Sequence, residues 1–352
     1  MPTYMLEGDK EARIATGPIR IQVHASGDAS FAIVATTNDG KPVDTINPRA
    51  DIMVIPRLPA RSRISVKPAS AGSVFSQGTT LNLTLTIDGQ ASADPERVVL
   101  SAVDVSGLGI QELLSLEAQD GHIATRSLVT PKQDDELGGL AKAAQVATRE
   151  ILGVDQVDGT SSVNLVAAVD GSASMLAATR DGSVAALVEV LVGISRVISP
   201  GRTISGAIVT EDVAWVESAK SSGLGGELSR AQESRPLGTA FRSAAAGLAG
   251  RSANQNTVTY VITDAVPADI AELRAVDEVE GEARHLVVLG EAQAIALEGD
   301  PGLATTVVQP VLTEEGVAGR LEFDGQALRQ VIKSLLNGCF VPGTDYAKRV
   351  AQ

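Results

Sequence analysis

The sequence predicts two fold classes in one chain: an antiparallel β-sandwich first, then a doubly wound, mostly parallel α/β domain. Three observations carry this. The chain has 352 residues, enough for two cores. Residues 1 to about 127 hold short β-rich runs broken by turn residues, with no helical period. From Val163 onward, continuous apolar runs alternate with helical stretches, as a parallel sheet covered on both faces requires. The expected boundaries are a sandwich at 1–127, a linker with a short helix at 128–159, an α/β domain at 160–341 and a tail at 342–352.

In the first half the expected strands are Ile19–His24, Phe31–Thr36, Asp51–Ile55, Arg63–Val66, Thr80–Ile87 and Arg97–Asp104. Thr80–Ile87 alternates Leu81, Leu83, Leu85 and Ile87 with Asn82, Thr84 and Thr86, the pattern of a half-buried strand. Asn38-Asp39-Gly40 and Asp88-Gly89 supply turns. The polar stretch from Pro131 reads as linker, and Ala141–Leu152 as an Ala-rich helix with Gly153 as its cap.

In the second half the order is strand Val163–Val169, helix Gly182–Ile198, strands Ser205–Val209 and Val213–Val216, helix Ala240–Leu248, strand Thr257–Ile262, helix Ala268–Ala275, strands Arg284–Leu289 and Thr305–Val308, and helix Gln326–Leu336. The short spacing within Gly201–Ala214 predicts a hairpin that adds one antiparallel edge. Ligand sites in such sheets lie at the carboxyl ends of the strands.

Composition excludes several functions. The formal charge is -14 and no basic run occurs, which disfavours a phosphate-backbone partner. One cysteine, Cys339, allows neither an internal disulfide nor a thiolate zinc cluster. No apolar run reaches the length of a membrane span, and no basic region precedes an apolar stretch at the N-terminus. A cytoplasmic protein without membrane insertion is the expectation.

Five residues form a candidate divalent-metal site. Asp170, Ser172 and Ser174 follow the first apolar strand of the second half, in Val-Asp-Gly-Ser-Ala-Ser. Thr239 follows in Pro-Leu-Gly-Thr-Ala, and Asp264 in Val-Ile-Thr-Asp-Ala. Magnesium takes six oxygens in tight octahedral geometry and keeps some waters. A shell rich in hydroxyls and poor in carboxylates leaves the ion electrophilic, so a partner's Glu or Asp can complete it. No His or Glu flanks these motifs to activate water, which favours binding over hydrolysis. Asp-x-Ser-x-Ser alone arises by chance in roughly one chain in ten; its placement after a strand, with Thr239 and Asp264 later, makes it specific. The competing reading is that Asp170 and the serines cap the helix that follows.

With these residues in view, 160–341 resembles a von Willebrand factor A domain. That family has the doubly wound fold, and its metal-ion-dependent adhesion site uses Asp-x-Ser-x-Ser, a Thr and an Asp. The resemblance assigns those roles to Asp170, Ser172, Ser174, Thr239 and Asp264, with Mg2+ as the ion and Mn2+ or Ca2+ as substitutes. One departure is Ala265, where the family usually has Gly.

The first half resembles a TerD-type domain of the bacterial tellurite-resistance and stress-response group. The likeness lies in Leu6-Glu-Gly-Asp-Lys, in Asp28-Ala-Ser-Phe-Ala-Ile-Val with its Asn-Asp-Gly-Lys turn, and in Thr80–Ile87 followed by Asp94-Pro-Glu-Arg. Members are β-sandwiches that bind calcium through clustered aspartates. Here His24, Ala25, Ser26 and Gly27 stand where acids usually precede Asp28, which argues against calcium in this half. The two resemblances in this order are the layout of TerF-like proteins.

Other residues read as structural. Glu211 and Asp212 suit a hairpin turn. Ser218–Gly226 reads as a flexible loop, since it lacks the ending of a phosphate cradle. Gln232-Glu-Ser-Arg235 reads as a loop bordering the metal, with a rim that selects the partner as its functional alternative. His285 opens a buried strand, Trp215 packs on a strand, and Cys339 reads as an inert thiol. The expected function is a non-enzymatic, metal-dependent adaptor that binds an acidic protein side chain in a stress or tellurite-resistance complex. The alternatives are a metal-assisted phosphohydrolase and a structural or assembly protein.

Overall fold

Among the described residues, eleven strands precede the first helix. In the computed structural model, residues 3–6, 11–27, 29–59, 61–87, 96–119, 121–129, 137–159, 161–200, 202–218, 220–238, 248, 256–276, 282–290, 303–309, 316–340 and 344–352 are described. The chain divides into two compact units, Met1–Asp134 and Asp135–Gln352.

The first unit contains β1 (Thr3–Met5), β2 (Glu11–Ala15), β3 (Ile19–Ala25), β4 (Phe31–Thr37), β5 (Ile46–Arg49), β6 (Ile52–Ile55), β7 (Ser62–Pro68), β8 (Thr80–Ile87), β9 (Arg97–Asp104), β10 (Gln111–Gln119) and β11 (His122–Ser127). One sheet runs β1-β9-β8-β3-β6-β5 and the other β2-β11-β10-β7-β4. All pairings are antiparallel except β1 with β9. Ile21 and Leu83 of one sheet share a buried cluster with Ile64 and Leu116 of the other. The alternation in β8 buries its Leu and Ile positions as the sequence predicts. The turn at Asn38-Asp39-Gly40 forms, with Gly40 at a φ of +79°.

Five of these strands escape the sequence reading: β1, β2, β5, β10 and β11. For β10 the reason is visible. Its register against β7 shifts between Glu112 and Leu114, so Leu113, Leu114, Ser115 and Leu116 are buried in succession and the two-residue period is lost. Several marks used above lie outside the described residues: Asp28, Asp88-Gly89, Asp94, most of Leu6-Glu-Gly-Asp-Lys and the Pro131 stretch.

The second unit begins with α1 (Gly139–Leu152), which Gly153 closes in the left-handed conformation. A sheet follows, made of β12 (Asn164–Asp170), β13 (Ser205–Val209), β14 (Val213–Val216), β15 (Thr257–Thr263), β16 (Glu282–Leu289) and β17 (Ala304–Val308). Its order is β14-β13-β12-β15-β16-β17, parallel throughout except for the β13–β14 hairpin at one edge. The helices after α1 are α2 (Leu176–Arg180), α3 (Ser183–Ile198), α4 (Leu224–Glu233), α5 (Ile270–Val276), α6 (Gly316–Phe323), α7 (Gly325–Leu336) and α8 (Asp345–Ala351). β15 is buried along its whole length, which explains its unbroken apolar and β-branched sequence.

The structure corrects four expectations. α1 is part of the second unit rather than linker: Leu140, Ala141, Ala144, Ile151 and Leu152 enter the same core as α3. A Cβ at Gly193 of α3 would strike the Ala141 carbonyl and the Ala144 methyl, so the two helices touch backbone to backbone. Ser218–Gly226 is not a loop throughout: a 3-10 turn at Ser221–Gly223 leads into α4. Gln232 and Glu233 lie in α4, not on a loop. The tail is helical, and Tyr346 of α8 rests on Phe340 with ring centroids 5.4 Å apart. The expected helix Ala240–Leu248 lies, apart from Leu248, outside the described residues.

Candidate metal centre

Asp170 is the last residue of β12, and Asp264 immediately follows β15, its parallel neighbour. Both therefore stand at carboxyl ends of central strands. Asp170 is fully buried. Its Oδ1 accepts the Ser172 backbone N–H at 2.7 Å, and its Oδ2 accepts the Thr263 hydroxyl at 2.7 Å. Burial pushes its carboxyl above the usual carboxylate value, the bonds from Thr263 and Ser172 pull against that rise, and the charge of Asp264 adds to it.

The two serines do not cap a helix. Neither the 3-10 turn Ala173–Met175 nor α2 has a side-chain cap. Instead Ser172 Oγ lies 3.0 Å from Ser174 Oγ, and Ser174 Oγ donates to Asp264 Oδ1 at 2.8 Å. Three oxygens from two loops thus meet, with Ser174 exposed to solvent.

Close packing sets this loop. A Cβ at Gly171 would lie 2.6 Å from Thr210 Cγ2 and 3.0 Å from Ile208 Cγ2, so only glycine lets β12 leave the sheet here. Gly171 N–H donates to the Val209 carbonyl at 2.7 Å. On the other side, Gly238 N–H donates to the Gly171 carbonyl at 3.1 Å, and Ala173 N–H donates to the Gly238 carbonyl at 3.2 Å. Thr239, the next residue in the chain, lies outside the described residues.

Two residues that hold the site were not among those the sequence singled out as ligands. Thr263 uses its hydroxyl to orient Asp170 and also accepts the Ala265 N–H at 3.0 Å. Gln232, 1% exposed, donates from Nε2 to the Asp170 carbonyl at 2.9 Å and accepts the Thr179 hydroxyl. The Thr-Asp pair in sequence is a visible signal for Thr263. For Gln232 the sequence reading placed its segment at the border of the site but not its bond to Asp170, because that bond depends on α4 lying across the end of β12.

The donor set suits a small hard cation. In an octahedron with metal–oxygen bonds of about 2.0–2.1 Å, neighbouring ligands are separated by roughly 2.8–3.0 Å. The Ser172–Ser174 and Ser174–Asp264 separations of 3.0 and 2.8 Å match that edge. They are also ordinary hydrogen-bond lengths, so these oxygens satisfy one another without large movement. Each Asp170 oxygen retains a second lone pair beyond the bond it accepts. Among the described residues no three His, Cys, Asp or Glu side chains gather, so a cation held here would need hydroxyl oxygens in its shell.

The other singled-out side chains sit apart from this cluster. His285 is buried against Tyr260 and Thr306, and burial lowers its pKa to about 4. Cys339 is buried beside the Tyr260 hydroxyl, and burial pushes its thiol up to about 12. Trp215 lies on β14 and, with Val213, packs against the cluster that holds Ala207 and Val209. No helix among the described residues is long and apolar enough to cross a membrane. No family model matches the chain, and no curated protein matches it.

Proposed function

We propose that the second unit is a von Willebrand factor A-type domain that holds one divalent cation and uses it to capture an acidic side chain of a protein partner. Magnesium is the first choice of ion, with manganese or calcium as substitutes. The observation that supports this most is the convergence of Ser172, Ser174 and Asp264 beside buried Asp170, all at carboxyl ends of adjacent parallel strands. Thr239 joins the set through its motif and its place after Gly238. The bound ion would supply a positive charge at the mouth of the site. The chain's own residues would orient the oxygens, with Thr263 and Gln232 fixing Asp170 from behind. Two carboxylates offset the formal charge of the ion, so a partner's carboxylate would bind by filling a coordination position that the protein leaves to water.

The first unit, in this proposal, is a TerD-type β-sandwich. Its two sheets sharing one core agree with that. The whole chain then acts as a non-enzymatic cytoplasmic adaptor in a bacterial stress or tellurite-resistance complex.

Titration calorimetry with MgCl2 and MnCl2 tests the reading. One ion per chain is expected, with binding lost in Asp264→Ala and in Asp170→Ala. Asp264→Ala is the safer variant, because Asp264 is partly exposed and its removal leaves no buried group stranded. No ion on the native chain, or undiminished affinity in both variants, would overturn the proposal.

A further inference from the structure

The loop that carries Asp170, Ser172 and Ser174 is held from behind by one buried side chain. Gln232 donates from Nε2 to the Asp170 carbonyl at 2.9 Å, where the loop starts. Its Oε1 accepts the Thr179 hydroxyl, which also lies 3.0 Å from the Met175 carbonyl, where the loop ends. Asp170, Met175, Thr179 and Gln232 are all buried. Both ends of the loop are thus tied through a single amide.

The helix that supplies this amide has little slack. Gly225 of α4 lies against the backbone of Ala185 in α3, 3.0 Å from where a Cβ would be, and Leu224 and Leu228 close over Gly206 of β13. On the loop's other side, Gly238 and Ser172 form an isolated parallel bridge. Thr263 ties Asp170 to β15, so Asp264, the residue after β15, is held to the same frame.

A frame of this kind discriminates by size. Calcium bonds to oxygen run about 2.3–2.6 Å and separate neighbouring ligands by roughly 3.3–3.7 Å, whereas magnesium needs roughly 2.8–3.0 Å. The Ser172–Ser174 and Ser174–Asp264 oxygens stand 3.0 and 2.8 Å apart. Calcium would require the loop to spread, and spreading would leave buried donors and acceptors without partners. Resting on the metal centre proposed above, we infer that Gln232 is a positioning residue that sets ion specificity, holding the site to magnesium and against calcium. It acts through the Asp170 carbonyl and through Thr179, and bonds to none of the proposed ligand oxygens.

The test is calorimetric titration of the full chain with MgCl2 and, separately, with CaCl2. The native chain is expected to bind magnesium at least tenfold more tightly than calcium. Gln232→Met keeps the length of the side chain and removes both hydrogen bonds. It should weaken magnesium about tenfold and calcium no more than threefold, so the ratio of the two affinities falls. Thr179→Val, which breaks the same chain of bonds one step later, should lower the ratio in the same direction and carries the test if Gln232→Met does not fold. Val197→Ala is the control for lost stability alone. Val197 is buried in α3, and its neighbour Ile198 bonds to Val163 just before β12, at the end away from Asp170. That variant should lower the urea midpoint and leave the ratio as in the native chain. An unchanged ratio in Gln232→Met and Thr179→Val would overturn the inference while leaving the metal centre in place, as would equal affinity of the native chain for the two ions. A ratio that falls equally in Val197→Ala would overturn it too. Binding of neither ion by the native chain would overturn the metal centre itself, and the inference with it.

Discussion

A single hydrogen atom on Gly171 decides where the Asp170 carboxylate and the Ser172 hydroxyl can stand. Any side chain there meets Thr210 and Ile208 at 2.6 and 3.0 Å. Overpacking of this kind costs about 1–3 kcal/mol. Gly171→Ala is therefore expected to lower stability by that amount and to weaken magnesium binding with it. Gly226, in α4, has nothing within 4 Å of an added Cβ, so Gly226→Ala should instead be neutral or stabilise by about 0.5–1 kcal/mol. Urea melts of both variants, followed by the fluorescence of Trp215, check the pair. Trp215 is the only tryptophan and lies in the second unit, so it reports on that unit alone. The same probe reads His285. Burial holds its folded value at about 4 against an ordinary 6.5. Between those pH values the unfolded chain binds a proton that the folded chain refuses. Stability present above about pH 6.5 is thus lost as pH falls towards 4, by about 3 kcal/mol in all, and then levels off. His285→Gln removes the titration, so its urea midpoint should change less between pH 7 and 4.5 than that of the native chain. Equal slopes would mean that His285 titrates normally.

Elements were legible where one physical signal dominated. β8, β9, β13 and β14 lie where period and turn residues place them, and the antiparallel edge follows from the short β13–β14 connection. The positions of Asp170 and Asp264 at strand ends were legible too, and the structure brings Ser172 and Ser174 to Asp264, while their role toward a metal stays with the proposal. α4 was not. Its first turn, Leu224-Gly-Gly, has the composition of a loop, and only packing explains the glycine: Gly225 lies against the Ala185 carbonyl of α3, 3.0 Å from where a Cβ would be. Missing α4 left Gln232 on a loop rim and hid its bond to the Asp170 carbonyl. α1 was recognised as a helix but assigned to the linker, since its Ala-rich face does not announce its partner. That face predicts a boundary. A fragment from 135 to 352 keeps α1 on α3, whereas one from 160 to 352 exposes the face that Leu140, Ile151 and Leu152 cover. At about 1.5–3 kcal/mol for each large side chain, the loss is on the order of 5 kcal/mol or more, comparable with a domain's whole stability. The longer fragment is expected to melt cooperatively in circular dichroism, and the shorter one to melt far lower or to aggregate. Matching transitions would return α1 to the linker.

For the whole molecule the governing quantity is the charge of -14. It acts in opposite directions on the two ligands of the proposed site. A divalent cation is drawn towards an acidic chain, and added salt screens that attraction over a length of about 10 Å at 0.1 M. Magnesium affinity should therefore fall several-fold between 20 and 300 mM KCl. An acidic partner is repelled by the same charge, so salt should speed its approach once magnesium saturates the site. A short peptide with one glutamate in a neutral sequence, measured at saturating magnesium, is expected to bind no more weakly at 300 mM than at 20 mM. The short-range bond between ion and carboxylate has no intervening solvent to screen it, while the long-range repulsion does. A peptide whose binding collapses with salt, as magnesium's does, would point elsewhere. Basic residues on the segments that follow the two motifs, Arg180 at the end of α2, 3.7 Å from Glu233, and Arg235 shortly before Gly238 in the chain, would then be the candidates for attracting the carboxylate directly. The two salt slopes, taken together, distinguish capture through a metal from capture by a basic rim.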